Sequence, residues 1–359
     1  MQSGEIFQQR YRIQSEVGRG SFGIVYAASD LQTGRTVAVK VLLPWTRGNP
    51  SLRHRLKREA KLTRLLKSPH AIRVHEIDET DSGEMYIAME LLEGQELTQL
   101  LVTEGRLRPD RAREIGRQVL DALAESHALG VIHRDLKPHN IFICRGPNGT
   151  DLVKVLDFGI AKVAGTEDGS GLAETTRLTA PGGVLGTPAY MSPEQCRGEP
   201  LTPAADFYSL GIVLYEMVMG QVPFDDPNAV QVLVMHNTHP VAPLPSPIGQ
   251  SPLGLAIMRA LEKDPKARFR TAAEFLMALG YESLPPQAAA PARAAPAPQS
   301  HPVPLSAALL APAPVSATIQ SPPNRRRNSP GLFGTVRRYW IAALIVILLG
   351  LLVACYYMQ

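Results

Sequence analysis

Two carboxylates and an amide lie at short intervals in the middle of this chain of 359 residues. Asp135 and Asn140 stand five residues apart around a proline, and Asp157 follows 17 residues after Asn140. A carboxylate can accept or orient the proton of an attacking hydroxyl, and Asp and Asn oxygens are suitable ligands for Mg²⁺. These residue types at this spacing favour metal-assisted transfer of a phosphoryl group to a hydroxyl.

A glycine-rich segment and a lysine precede these residues. Residues 18–23 read Gly-Arg-Gly-Ser-Phe-Gly, and backbone amides in such a turn can approach phosphate oxygens without obstruction by Cβ atoms. The segment also fits an ordinary glycine-rich hairpin, whereas a dinucleotide-binding turn would need a following helix that the sequence lacks. Lys40 lies in an apolar run, and Glu59 falls 19 residues later, where it could hold Lys40 as an ion pair.

Six motifs in one order resemble the catalytic domain of protein kinases, specifically the bacterial-type serine/threonine kinases related to eukaryotic ones. The motifs are residues 18–25, 37–40, Glu59, 133–140, 157–159 and 192–194. The resemblance covers residues 11–280, with the small departure that Ser192 stands where the family often has Ala. It implies an α+β, bilobal fold with a small antiparallel β-sheet and one main helix in the N-lobe, and a larger α-helical C-lobe.

The resemblance also implies a role for each functional residue. The implied catalytic residues are Lys40, Glu59, Asp135 and Lys137, and the implied ligands of Mg²⁺, or alternatively Mn²⁺, are Asn140 and Asp157. The implied ATP contacts are Val17, Gly18, Arg19, Gly20, Ser21, Phe22, Gly23, Val25, Ala38, Lys40, Met89, Glu90, Leu92, Glu96 and Phe142. Met89 is the expected gatekeeper, and backbone groups of Glu90 and Leu92 are expected to read the adenine. Lys137 is typical of serine/threonine kinases and steadies the γ-phosphate.

Further residues are implied in control and stability. Arg134, directly before the catalytic aspartate, implies regulation by phosphorylation of the activation loop. The polar, Gly-rich residues 160–185 would form this loop, with Thr175, Thr176 and Thr179 as candidate phosphosites; ordinary loop hydroxyls remain the alternative. The family also predicts a substrate-proximal Thr187, a buried ion pair between Glu194 and Arg268, and an Asp206 that caps the catalytic loop.

The elements that must position these residues are predicted from hydrophobic periodicity. Alternating or β-branched runs predict strands at residues 11–17, 23–29, 36–42 and 85–91, and a further strand at 152–156. Apolar residues at helical spacing predict helices over residues 52–66 and 110–129, and the apolar residues 210–219 predict a buried helix. Strands come first and helices later, which agrees with the bilobal expectation.

Charge and cysteine content exclude other classes of protein. Residues 283–359 contain six arginines and no acid, which leaves 31 basic and 33 acidic residues in the rest of the chain. This balance predicts no nucleic-acid partner, because the catalytic region lacks a basic footprint. The three cysteines have no CxxC spacing, so the sequence supports neither a disulfide framework nor a zinc site.

The composition changes sharply after the catalytic region. Twelve of the chain's 31 prolines fall within residues 284–330, which predicts a disordered, partly extended linker. Residues 340–358 carry no charge and are flanked by aromatic residues and by Arg337 and Arg338, so they predict one transmembrane helix with the preceding chain in the cytoplasm. A buried core helix is the alternative. The predicted organisation is an N-terminal extension (1–10), a kinase domain (11–282), a linker with a basic juxtamembrane segment (283–338) and a membrane helix (339–358).

The predicted function is transfer of the γ-phosphoryl group of ATP to Ser and Thr hydroxyls of proteins in membrane-associated signalling. Autophosphorylation of the activation loop is expected, with kinase domains on neighbouring anchors acting on each other in trans. The alternatives are a membrane-tethered, ATP-binding pseudokinase scaffold and a small-molecule kinase of the same fold. The complete set of catalytic residues argues against the scaffold, and the long activation segment argues against the small-molecule kinase.

Overall fold

The computed structural model describes residues 1–20, 23–42, 62–158 and 188–281. An antiparallel sheet of six strands forms the N-terminal lobe, in the order β1-β2-β3-β4-β6-β5. The strands are β1 (Ile6–Phe7), β2 (Tyr11–Gly20), β3 (Gly23–Asp30), β4 (Thr36–Leu42), β5 (Val74–Glu79) and β6 (Met85–Glu90). The four strands predicted in this lobe are confirmed, and the short β1 adds part of the predicted N-terminal extension to the sheet.

The two faces of this sheet serve different purposes. One face is a closed apolar cluster formed by Tyr11, Ile13, Tyr26, Ala28, Val37, Val39, Tyr86 and Ala88. Because side chains alternate along a strand, Ala38 and Lys40 lie on the opposite face. There Lys40 stands opposite Val25 of β3, and Ala38 stands opposite Met89 of β6. The alternation therefore places several predicted ATP contacts on one surface.

A second sheet of three antiparallel strands follows, in the order β7 (Gly94–Glu96), β8 (Ile141–Arg145) and β9 (Asp151–Val155). Strand β9 confirms the strand predicted before Asp157. The helices of the described residues are α1 (Leu97–Glu104), α2 (Pro109–Ala128), α3 (Pro193–Cys196), α4 (Pro203–Met219), α5 (Ala229–Thr238), α6 (Pro252–Ala260) and α7 (Ala272–Ala278). One large apolar cluster joins α1, α2, α4, α6 and α7 to β8 and β9 and forms the core of the C-terminal lobe.

Helix α2 follows its sequence signals closely. Pro109 occupies the first turn, where its missing N–H costs no hydrogen bond, and Asp110 places a negative charge near the positive end of the helix dipole. The predicted stripe, Ala112, Ile115, Val119, Ala122 and Leu123, is completely buried. The helix prediction is therefore confirmed, and α2 supplies the platform from which the catalytic loop departs.

Helix α4 is buried nearly all round, as its apolar sequence predicts, but it begins earlier than residue 210. Its first turns contain Asp206, Tyr208 and Ser209, which interrupt the apolar run and yet are buried. Hydrogen bonds satisfy these polar groups; Ser209, for example, donates its hydroxyl to the Tyr190 carbonyl at 2.8 Å. Hydrophobic periodicity alone does not detect a buried polar residue whose partners come from elsewhere in the chain.

Several predictions fall outside the described residues. The helix predicted at 52–66 lies there except for its last five residues, and so do Ser21, Phe22, Glu59 and the candidate phosphosites. The linker and residues 339–358 also lie outside. Within the part of the chain that the structure describes, no helix combines the length and apolarity needed to cross a membrane.

Candidate active site

A short loop between α2 and β8 carries Asp135, and the buried Asp206 carboxylate holds this loop by hydrogen bonds. Asp206 accepts the backbone N–H groups of His133 and Arg134, each at 2.8 Å. Arg134 adopts a left-handed backbone conformation with φ of 67°, which costs about 1–3 kcal/mol for such a residue. The Gln195 side chain donates to the Arg134 carbonyl at 2.7 Å. These bonds offset the strain and confirm that Asp206 caps the loop.

Asp206 remains an anion although it is completely buried. Burial acts to raise the pKa of its carboxyl, but the hydrogen bond with His127 and the one from the His133 backbone N–H outweigh burial and hold that pKa below its ordinary value. The His127 Nε2 atom lies 2.7 Å from the Asp206 carboxylate. A buried acid with this many donors is a fixed acceptor around which the loop is built.

The Asp135 side chain is 26% exposed. It accepts a hydrogen bond from the Lys137 ammonium at 2.9 Å and one from the Asn140 side-chain amide at 3.2 Å. The same Asn140 nitrogen donates to the Asp135 backbone carbonyl at 2.7 Å. Asp135 is thus oriented by two neighbours and accessible to a substrate hydroxyl, as a residue that accepts or directs a proton must be.

Asp157 follows β9 and contacts the N-terminal lobe. Its carboxylate lies 2.6 Å from the Lys40 ammonium, and its backbone adopts a left-handed conformation with φ of 53°. Burial acts to raise the pKa of the Asp157 carboxyl, but the Lys40 ammonium outweighs burial and holds that pKa below its ordinary value. Asp157 therefore stays ionised, as a metal ligand must.

Neighbouring contacts hold Asp157 beside the catalytic loop. The Leu156 N–H donates to the Asn140 carbonyl at 2.8 Å, and the Leu156 carbonyl lies 2.8 Å from the His133 ring nitrogen. Phe158 is 1% exposed and packs against the His133 ring at 5.0 Å between centroids. Phe158 and His133 therefore pack against each other, and backbone hydrogen bonds join the residue before Asp157 to the catalytic loop.

The described partner of Lys40 differs from the one that the sequence indicated. The sequence predicted an ion pair with Glu59, which lies outside the described residues, so that pair stays a prediction. The structure joins Lys40 to Asp157, 117 positions later in the chain. No local pattern could indicate this contact, because it depends on the closure of the two lobes over each other.

The structure places the predicted adenine contacts at the cleft. Met89 packs with Leu92 and Leu156 against the apolar cluster that contains Leu42 and Ile87. Phe142 is on β8 opposite Glu96 of β7. The backbone N–H of Glu90 donates to the Arg73 carbonyl at 3.0 Å, which leaves the Glu90 carbonyl as its group for the adenine. The contact of Glu96 with the ribose stays a prediction.

The glycine-rich strands leave room for a phosphate. A Cβ atom built on Gly18 or Gly20 would meet no heavy atom within 4 Å, so the protein's own packing does not demand glycine there. Gly23 differs, because a Cβ atom would lie 2.3 Å from the Val41 carbonyl oxygen. Val17, on the same hairpin, is 52% exposed. This open cradle fits a bound polyphosphate.

The residues predicted to hold a metal fit a hard cation. The hydrogen bonds of the Asn140 amide nitrogen turn that nitrogen toward Asp135 and its oxygen away. Among the described residues, no group of three or more His, Cys, Asp or Glu side chains forms a metal site. Mg²⁺ commonly binds through one or two protein oxygens together with substrate phosphates. Asn140 and Asp157 would supply the protein oxygens.

Below the site, the predicted pair of Glu194 and Arg268 is confirmed. Arg268 donates from both terminal nitrogens to the two Glu194 oxygens, at 2.7 and 2.9 Å. Arg268 is completely buried and also donates to the carbonyls of Ala204, Glu262 and Lys263. This pair anchors the end of the activation segment to the C-terminal lobe. Thr187 and the candidate phosphosites lie outside the described residues.

Sequence reasoning missed some residues around the site. Gln195 braces the catalytic loop, and Tyr190 donates its hydroxyl to Glu216 at 2.7 Å. Lys154 of β9 forms an ion pair with Glu90. The sequence could have indicated Lys154, because it lies between two valines, Val153 and Val155, that are completely buried. Lys40 likewise lies between apolar residues of a strand.

Comparisons with known proteins agree with this geometry. The family described as protein kinase domain matches residues 11–278. The chain is 39% identical over 277 residues to the serine/threonine-protein kinase pkn3 of Myxococcus xanthus, covering 76% of this chain and 50% of that protein. It is 38% identical over 270 residues to the serine/threonine-protein kinase PknB of Mycobacterium leprae, covering 74% of this chain and 42% of that protein.

A solved structure gives the same result. The crystal structure of the kinase domain of Mycobacterium tuberculosis PknI has a TM-score of 0.58 and 25% sequence identity. The similarity covers 78% of this chain and 98% of that chain. The chain spans half or less of the length of the two curated relatives named above. By the extent of the family match and its identity to these relatives, the chain belongs to the protein kinase domain family.

Proposed function

We propose that this chain transfers the γ-phosphoryl group of ATP to Ser and Thr hydroxyls of proteins. The observation that carries the proposal is a pair of acidic side chains, Asp135 and Asp157, each held by a lysine. Asp135 is held by Lys137 and Asn140, and Asp157 is held by Lys40 of the opposite lobe. Relatives at 38–39% identity are named as serine/threonine-protein kinases, which supports the same acceptor class.

Each residue has a role in the proposed reaction. Asp135 orients the acceptor hydroxyl and takes its proton, and the Lys137 ammonium beside it compensates negative charge on the transferred group. Lys40 positions the phosphates of the nucleotide. Mg²⁺, when bound by Asn140 and Asp157, supplies neutralisation of charge on those phosphates. The open glycine cradle and the adenine contacts keep the nucleotide oriented for transfer.

The proposal includes control of the kinase by its own activity. Arg134 precedes the catalytic aspartate, and the activation segment offers Thr175, Thr176 and Thr179 as acceptors. A phosphate there would pair with a cationic side chain and order the segment. Transfer between two copies is the proposed route, because tethering to one surface raises their effective concentration.

The proposed location is a membrane, with the catalytic domain on the cytoplasmic side. The support is the uncharged run of residues 340–358, the aromatic residues at its ends and the arginines that precede it. Leu349→Lys should release the full chain from the membrane fraction, and Leu349→Ala should not. Loss of the unaltered chain from the membrane fraction on alkaline washing, which removes peripheral proteins, would contradict a membrane span.

The test of the activity uses the full chain, labelled ATP and Mg²⁺, with a generic protein substrate and mass spectrometry of the products. We expect phosphate on Ser or Thr of the substrate and on at least one of the three threonines, and no label in an Asp135→Asn control. Nucleotide binding without transfer to any protein would instead favour a scaffold that binds ATP. Label on small molecules alone would contradict the proposed acceptor class.

A further inference from the structure

Residues 91–93 form the segment that is expected to contact the adenine. Both ends of this segment are attached to strands β8 and β9. Before it, Glu90 ends β6; after it, Gly94 begins β7. Both flanking residues contact the ribbon formed by β8 and β9, which belongs to the C-terminal lobe. The position of this short segment therefore depends on two separate attachments.

The first attachment is an ion pair. The Lys154 ammonium of β9 lies 2.7 Å from the Glu90 carboxylate, and the two side chains are 12% and 27% exposed. The same Glu90 oxygen accepts the Arg73 backbone N–H at 2.9 Å, so one carboxylate is bonded to residues of both lobes. Partial burial shields this pair from solvent more than an ordinary surface ion pair.

The second attachment is a backbone ladder. Gly94 stands opposite Cys144, and Glu96 stands opposite Phe142. The approach at Gly94 is close, because a Cβ atom there would lie 2.1 Å from the Ile143 carbonyl oxygen. At this end the segment meets the ribbon through main-chain geometry, whereas at the other end the contact with the ribbon is made by the side chain of Lys154.

Lys154 is itself firmly placed. Its neighbours on β9, Val153 and Val155, are completely buried in the core of the C-terminal lobe, so Lys154 faces the other side of the ribbon. On that side it stands directly opposite Phe142 of β8, the residue expected to contact the adenine from below. One side chain thus connects the floor of the predicted adenine pocket to the strand end that begins the adenine-reading segment.

We propose that Lys154 is a positioning residue for the nucleotide: its ion pair with Glu90 holds the adenine-reading segment in register with the floor at Phe142. This inference rests on the proposed function and adds a residue to its nucleotide site. Without the ammonium, Glu90 stays paired within the N-terminal sheet and its carboxylate keeps the bond to the Arg73 N–H, but its side chain no longer contacts the ribbon. Nucleotide binding must then restrict that extra freedom and loses affinity.

The test compares full-length Lys154→Met and Lys154→Arg with the unaltered chain, and Lys266→Met is the matched control at an exposed lysine. We expect Lys154→Met to raise KM for ATP about tenfold, with kcat changed less than about twofold, since the loss concerns binding before the chemical step. Lys154→Arg should restore most of the affinity, because a guanidinium can bind the same carboxylate. KM for the protein substrate should not change.

A second readout separates this inference from the proposed function. The Kd for a non-hydrolysable ATP analogue, measured by calorimetry, should rise by the same factor in Lys154→Met even if the chain transfers no phosphate. Glu90→Gln, which keeps an acceptor for Arg73, should weaken binding in the same direction and covers the case in which Lys154→Met does not fold. Three results would overturn the inference: unchanged affinity, a change in kcat alone, or an equal loss with Lys266→Met.

Discussion

Asp206 and Asp157 are both acids whose pKa lies below its ordinary value, but they are held in opposite ways. Asp206 is completely buried and accepts two backbone N–H groups from the loop that it supports. Asp157 is 25% exposed and is held by the end of the Lys40 side chain. Backbone donors cannot leave their acceptor unless the loop unfolds, whereas a lysine can share its charge with an incoming phosphate.

The two kinds of acid therefore have different roles: one kind fixes the backbone of the site, and the other takes part in the reaction. The acids beneath the loop, Asp206 and Glu194, have partners that fix the backbone and exclude water. The acids in the cleft, Asp135 and Asp157, have side-chain partners and remain accessible to a substrate or a metal. We therefore expect changes in the cleft to reduce catalysis at nearly constant stability, and changes beneath it to reduce stability first.

The largest effect should follow from Asp135→Asn. The amide keeps the size of the side chain but cannot accept the proton of the acceptor hydroxyl, so kcat should fall by about 10²–10⁴. Urea titration should give a free energy of unfolding close to that of the unaltered chain, since the Asp135 side chain is partly exposed. A loss of stability that accounts for the lost activity would contradict the separation between the two groups of acids.

The second effect tests the acids beneath the loop. Arg268→Met leaves the buried Glu194 carboxylate without its cation, and breaking such a pair costs about 3–5 kcal/mol. We expect that loss in the free energy of unfolding, measured by urea titration, together with a lower melting temperature. The double variant Glu194→Gln with Arg268→Met should recover part of the loss, because it removes the unpaired charge. If the double variant is as unstable as the single one, the cost comes from packing.

Much of the fold was predictable because its signals are local. The strands alternate, the apolar stripe of α2 recurs at helical spacing, and Pro109 marks the start of that helix. The catalytic loop was predictable for another reason: Asp135, Asn140 and Asp157 are spaced as the chemistry of phosphoryl transfer requires. These three residues lie within one stretch of 23 residues.

Other features depend on contacts between distant parts of the chain. Lys40 meets Asp157 only because the two lobes close over each other, and Lys154 meets Glu90 for the same reason. The early start of α4 was missed because buried Asp206 is polar and its partners lie 72 and 73 positions away. Sequence periodicity measures the burial of apolar groups and contains no information on where a buried polar group finds its donor.

A third prediction uses pH to compare the two kinds of acid. The folded pKa of Asp206 lies below its unfolded value, which is about 3.9. The unfolded state then binds more protons in acid, so this stabilisation is present above the unfolded pKa and is lost as the pH falls toward the folded pKa. Asp206→Asn should therefore flatten the decline in unfolding free energy between about pH 5 and pH 3, by at most about 1.4 kcal/mol per pH unit.

Asp157→Asn provides the matched comparison, since its carboxyl also has a lowered pKa. We expect it to flatten the same decline, but at a smaller cost in stability near pH 7, because Asp157 is partly exposed and its partner among the described residues is a lysine side chain. Urea titrations of both variants at several pH values give the slopes. Parallel curves for Asp206→Asn and the unaltered chain would show that Asp206 does not titrate differently in the two states.

The smallest effect should come from Ser192→Ala, at the start of α3. Ser192 and Gln195 form a reciprocal cap: the Gln195 N–H donates to the Ser192 hydroxyl at 3.4 Å, and the Ser192 N–H donates to the Gln195 side chain at 2.9 Å. Gln195 also donates a hydrogen bond to the Arg134 carbonyl at 2.7 Å, so the cap lies between the core and the catalytic loop.

The substitution Ser192→Ala removes one bond and should cost about 1 kcal/mol in the free energy of unfolding. Because Gln195 keeps its bonds to the Ser192 backbone and to Arg134, kcat should change less than about twofold. A much larger fall in kcat at this small cost in stability would mean that the hydroxyl itself orients the loop. A residue beneath the catalytic loop would then affect catalysis more than stability, against the comparison drawn above.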